Sequence, residues 1–127
     1  MEYATLLVLL ALLQYIWFSI RVGSARGKFE IEAPSCAGDE VFERLFRVQQ
    51  NTLEQLIVFI PSCYAFAWFT SASWAAILGA VFIIGRFVYA AEYVKNPKSR
   101  SLGFALTFLP NAVLLVGSLI GVGISLF

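Results

Sequence analysis

Apolar residues run through this chain in four long blocks, and the polar residues between them mark where the blocks end. The first block begins at Tyr3 and stays apolar to about Val22, which is long enough to span a bilayer. The second begins near Asp39 or Glu40, acidic residues that suit the first turn of a helix. From Gln55 to Gly85 there are 31 residues without a charge. That is too long for one span and fits two half-spans joined by a tight turn. The only polar cluster inside it is Thr70-Ser71-Ala72-Ser73, so the turn belongs there, with Ser73 able to cap the third helix. The third helix ends at Asn96-Pro97, because a residue before proline avoids the α region. Ser101 can cap a fourth, charge-free helix that runs to Phe127. The pattern predicts an all-α, integral membrane four-helix up-down bundle with helices at about 3–22, 40–69, 73–96 and 101–127, forming one domain over 1–127.

Composition agrees with a lipid environment. Of 127 residues, 60% are apolar and 13% charged, and mean hydropathy is +0.80. A soluble domain this small buries only about two-thirds of its unfolded surface. A net charge of +1 offers no basic patch for a nucleic acid. Two cysteines, Cys36 in a polar loop and Cys63 in an apolar run, and no histidine leave little with which to hold a metal. Glu2 stands where a signal peptide would be basic.

All nine basic residues fall in two segments, Arg21 to Arg47 and Arg86 to Arg100. In an up-down bundle these segments share one face, and the positive-inside rule makes that face cytoplasmic, with both termini outside. The brevity of the chain and the lack of a retrieval signal point to a bacterial inner membrane rather than the endoplasmic reticulum. Pro61 and Pro110 sit inside helices 2 and 4, where a membrane helix accepts them with a kink. Gly117 and Gly121 form a GxxxG pair suited to close packing.

A second set of polar residues departs from this plan. Arg47, Asn51 and Glu54 lie within about 60° of one face of helix 2. Arg86, Tyr89 and Tyr93 make a similar stripe on helix 3. With the hairpin centred on Thr70, Glu54 pairs in depth with Arg86, Asn51 with Tyr89 and Arg47 with Tyr93. Glu54 and Arg86 then lie just inside the apolar layer, where an unpaired charge costs a few kcal/mol. A structural ion pair between them accounts for one couple. A polar cleft accounts for all six, with arginines for carboxylates, a carboxylate for an ammonium and tyrosines as hydrogen-bond donors. Such a cleft suits a small zwitterionic ligand such as a peptide.

The run Phe42-Glu43-Arg44-Leu45-Phe46-Arg47-Val48-Gln49-Gln50-Asn51-Thr52-Leu53-Glu54 resembles the helix 2 signature of the MAPEG family, membrane-associated proteins in eicosanoid and glutathione metabolism. That group includes microsomal glutathione transferases and leukotriene C4 synthase. Ser24-Ala25-Arg26 after helix 1, and Arg86, Tyr89 and Tyr93 on helix 3, carry the resemblance further. It implies a homotrimer in membrane lipid, with glutathione as co-substrate bound between subunits near the cytoplasmic face. By position, Arg47, Asn51, Glu54, Tyr89 and Tyr93 would hold glutathione, with Arg86 in the same stripe. Arg26 and Gln49 would contribute from the neighbouring subunit. Arg100 matches the arginine that stabilises the thiolate in catalytic members. The second substrate would be a lipophilic electrophile or a lipid hydroperoxide. Gln55 departs from the pattern, standing where several members carry tyrosine. The competing readings are a small four-helix transporter, which would need a deep carboxylate where helix 1 offers only Gln14, and a non-catalytic lipid-binding member of the family.

Overall fold

A computed structural model describes residues 1–99 and 101–127. Four α-helices follow one another: α1 (Glu2–Phe29), α2 (Glu40–Phe69), α3 (Ala72–Lys95) and α4 (Ser101–Leu126), with a 3-10 turn at Pro97–Ser99 before α4. Each α-helix is long and apolar enough to cross a membrane. The chain is an all-α bundle with an up-down course. At one end, Arg44 on α2 donates to the Val94 carbonyl of α3 at 3.0 Å, tying the α1–α2 and α3–α4 connections together. At the other end, Thr70 Oγ1 in the α2–α3 turn donates to the Gly117 carbonyl of α4 at 3.0 Å.

Helix ends follow local chemistry. Asp39 caps α2, accepting from the Val41 and Phe42 N–H groups at 2.8 and 3.1 Å. Three ends differ from the expectation. α1 runs past Val22 to Phe29, nearly two further turns. Polar and glycine residues in that stretch look like a loop, but Val22 and Ala25 pack with Ile31 and Phe42 in a small core that holds the helix on. Glu30 then closes α1 in the left-handed conformation at φ 56°. Ser71, rather than Ser73, caps α3, accepting from Trp74 N–H at 3.2 Å. Ser101 is the first residue of α4, not its cap. Residue 100 lies outside the described residues.

In lipid, apolar transfer does not drive helices together, so packing and polar contacts must. Phe59 on α2 and Phe82 on α3 stack at 4.1 Å between centroids, both fully buried. Gln14 on α1 donates to the Ile83 carbonyl at 3.0 Å. Ser118 on α4 donates to the Ser62 carbonyl at 3.1 Å. Asn111 on α4 donates to both the backbone and side-chain oxygens of Gln55 at 3.3 Å. α4 continues through Pro110 and α2 through Pro61. The expected close approach at the GxxxG pair is present. A Cβ at Gly121 would sit 2.9 Å from the Phe69 carbonyl oxygen, and one at Gly117 would enter the Phe66 ring.

Candidate functional site

The end of the bundle that carries the connections α1–α2 and α3–α4 also carries the polar stripe. Arg86 is its deepest member. It is 1% exposed. Its guanidinium donates to Thr52 Oγ1 on α2 at 2.8 Å and to Thr107 Oγ1 on α4 at 3.4 Å. It also lies over the Tyr89 ring, 4.5 Å from the centroid. Thr52 and Thr107 can accept because their own hydroxyls donate one turn back, to the Val48 and Gly103 carbonyls. The cation therefore clasps three helices. Its Nε has no hydrogen-bond partner among the described residues.

This corrects the structural ion-pair reading of Arg86 with Glu54. Glu54 instead lies 3.6 Å from Arg47, two turns away on the same helix, and both side chains are about half exposed. The reason is angular. Thr52 is fully buried toward Arg86, and Arg47 and Glu54 lie about 140° and 160° around α2 from it. The two stripes thus share depth but not a common face. α3 turns Arg86 and Tyr89 inward. α2 turns Arg47 and Glu54 outward, with Asn51 half-buried between. One chain alone does not close these six residues into a cleft.

Tyr89 and Tyr93 stack at 5.5 Å with their rings 12° apart. Tyr89 is buried and Tyr93 is partly open. Tyr89 is positioned by α4. A Cβ at Gly103 would collide with the Tyr89 backbone, so only glycine lets α4 approach this closely. Arg26 donates to the Ser35 carbonyl at 2.7 Å and lies over the Phe42 ring. Gln49 donates to Ser19 Oγ on α1 at 3.0 Å. Arg44 pairs with Glu40. Arg100 lies outside the described residues.

Sequence reasoning missed Thr52, Thr107 and Asn111. For Thr52 a signal existed. Arg86 and Thr52 are equidistant from residue 69, so moving the hairpin centre by one residue from Thr70 would have matched them. Thr107 and Asn111 carry no such signal, since the charge-free sequence of α4 reads as an apolar span. Gln55, flagged as a departure, is held by Asn111.

Residues 3–120 of this chain match the MAPEG family. The chain belongs to the MAPEG family. An uncharacterized protein of Synechocystis is 44% identical over 117 residues, covering 92% of this chain and 85% of that protein. Bovine microsomal glutathione S-transferase 2 is 35% identical over 116 residues, 91% of this chain and 80% of the relative. Bovine leukotriene C4 synthase is 32% identical over 92 residues, 72% of this chain and 61% of the relative. With four candidate spans, this MAPEG chain is an integral membrane protein.

Proposed function

We propose that this MAPEG protein is a membrane-bound glutathione S-transferase that works as a homotrimer. One observation carries the reading. Arg47, Asn51 and Glu54 face outward or half outward on α2, at the same end as the buried Arg86 and the Tyr89–Tyr93 stack. Charges exposed at the edge of an apolar span are costly in lipid, and a neighbouring subunit would cover them and complete a site. Glutathione has two carboxylates and one ammonium, which matches Arg47, Arg86 and Glu54 in sign. Asn51, Tyr89 and Tyr93 would supply hydrogen bonds. Arg26 and Gln49 would reach the tripeptide from the adjacent subunit. The relatives named as glutathione S-transferases support the same reading.

The chemistry follows from the thiol. A free thiol of this kind has a pKa of about 8.5, and only the thiolate attacks well. A guanidinium holds its proton and cannot act as a base, but a cation beside an acid lowers its pKa by roughly 1–3 units. Arg100 takes this role, stabilising the thiolate. The thiolate sulfur adds to the electrophilic carbon of a lipophilic substrate arriving through the bilayer. Reduction of lipid hydroperoxides is a second reaction open to the same thiolate. The basic residues at the connection-bearing end support a cytoplasmic position for it by the positive-inside rule, where glutathione would be met. Gln55, whose amide oxygen is engaged by Asn111, lacks a phenol to offer the tripeptide, so affinity should be lower than with tyrosine there.

The test is conjugation of glutathione to 1-chloro-2,4-dinitrobenzene by protein in detergent, together with a glutathione-dependent thermal shift. Arg100→Ala should lose at least tenfold in rate and keep the thermal shift. Full activity of that variant removes Arg100 from the mechanism. No shift at millimolar glutathione overturns the proposal and leaves a lipid-binding role.

A further inference from the structure

One stripe of α1 takes no part in the site above. Leu10, Gln14, Trp17, Arg21, Ser24 and Lys28 are spaced alternately by four and three, so they form one line along the helix. Arg26, two residues beyond Ser24, points about 200° away from it. The apolar part of this line borders a groove of about 440 Å³ between α1 and α3, with Leu13, Ile20, Ile83 and Phe87 among its walls. The basic part borders a second pocket of about 410 Å³ between α1 and the start of α2, where Arg21, Ser24 and Lys28 face Val41 and Leu45. Trp17 and Ile20 belong to both. The two cavities therefore adjoin along α1, apolar toward the bundle centre and cationic at the connection-bearing end.

Dimensions identify an occupant. Leu10 to Ile20 is about 15 Å of helix, which is half of the roughly 30 Å hydrocarbon core, or one leaflet. Arg21 and Lys28 follow immediately, at headgroup depth. Both are held over aromatic rings. The Arg21 guanidinium lies 5.0 Å from the Trp17 centroid, and Lys28 Nζ lies 5.3 Å from that of Phe29. Among the described residues neither forms an ion pair. Two unneutralised cations beside a hydroxyl suit a phosphate, and the groove below suits an acyl chain. Gln14 is the one polar residue in this wall: its amide nitrogen donates to the Ile83 carbonyl, while its buried Oε1 has no hydrogen-bond partner among the described residues.

We infer that this face of α1 is a binding site for one anionic phospholipid, its phosphate at Arg21, Ser24 and Lys28 and an acyl chain along the α1–α3 groove. A zwitterionic lipid would leave the cations uncompensated. A soluble phosphate would leave the groove empty. The site is independent of the glutathione proposal and can stand or fall without it.

Trp17 provides the readout. Trp68 and Trp74 are highly exposed at the opposite end of the bundle, so Trp68→Phe and Trp74→Phe leave a single reporter. This protein is reconstituted in phosphatidylcholine vesicles containing a minor fraction of phosphatidylglycerol with brominated acyl chains, which quench a neighbouring indole. Each basic residue at a surface favours an anionic lipid by about fivefold. Trp17 should therefore report a preference for phosphatidylglycerol of at least tenfold over its bulk fraction. Arg21→Gln with Lys28→Gln should abolish that preference while the thermal midpoint without added ligand is unchanged. Lys95→Gln with Lys98→Gln removes the same charge elsewhere at that end and should leave it intact. Equal loss in both pairs means diffuse attraction and overturns the site. Quenching that follows bulk composition in the parent protein overturns it too, as does displacement of the lipid by soluble glycerol phosphate. If the Arg21/Lys28 pair instead lowers the oligomeric mass, the groove holds a second copy of the chain and the lipid proposal fails.

Discussion

Arg86 shows what a buried cation requires. Its guanidinium is satisfied by two threonine hydroxyls and an aromatic face rather than by a carboxylate. Hydrogen bonds to a charged group contribute about 1.5–3 kcal/mol, and losing the partner leaves the charge to bear its own desolvation. Thr52→Val keeps the shape and removes the acceptor. It should lower the thermal midpoint in detergent, with a loss of about 2 kcal/mol, whereas Thr52→Ser should restore most of it. A midpoint for Thr52→Val equal to the parent would mean that Arg86 is held by Thr107 and Tyr89 alone. Glu54 belongs to a different surface. Glu54→Gln should weaken glutathione binding about tenfold or more with little change in the midpoint without ligand, because Glu54 is half exposed and its Arg47 partner is too. An unchanged dissociation constant, measured by calorimetry, counts against the proposed site.

At the scale of the helices, the readable signals were the ones with local chemistry. Asp39 before an apolar run and Asn96 before Pro97 both mark ends that the structure also has. The end of α1 was not readable, because its last two turns are held by Ile31 and Phe42, contacts that a scan along the helix does not see. The matched depths of α2 and α3 were legible from antiparallel geometry. Which way each stripe faces was not, since that depends on Thr52 and on Thr107 of α4. Gly103 is the place where α4 sets the position of Tyr89. A larger side chain there must push two helix backbones apart, and overpacking of this kind costs about 1–3 kcal/mol. Gly103→Leu should lower the thermal midpoint and reduce glutathione binding together. Retained stability with lost binding would show that the helices part without loosening the fold.

For the whole molecule, the outward placement of Arg47 and Glu54 makes assembly the central question. The proposed homotrimer of a 14.1 kDa chain predicts a single species of three chains by native mass spectrometry after gentle detergent removal. A monomer that binds glutathione with full affinity would overturn the shared site. The family and the four-span bundle were legible in the sequence because both rest on long patterns: apolar blocks, and a motif spread over α2 and α3. Subunit arrangement is not a pattern of that kind. It lies in contacts between chains, and a single chain records only the charged surface that such contacts would cover.

The hydrogen bond from Gln14 to the Ile83 carbonyl joins residues 69 positions apart. That separation has a consequence in time. At roughly 5–20 residues per second of synthesis, Gln14 is made about 3–14 seconds before its acceptor. The intervening α2 is not the partner of this amide. For that interval the first helix carries an amide donor whose acceptor in the finished bundle has not yet been synthesised.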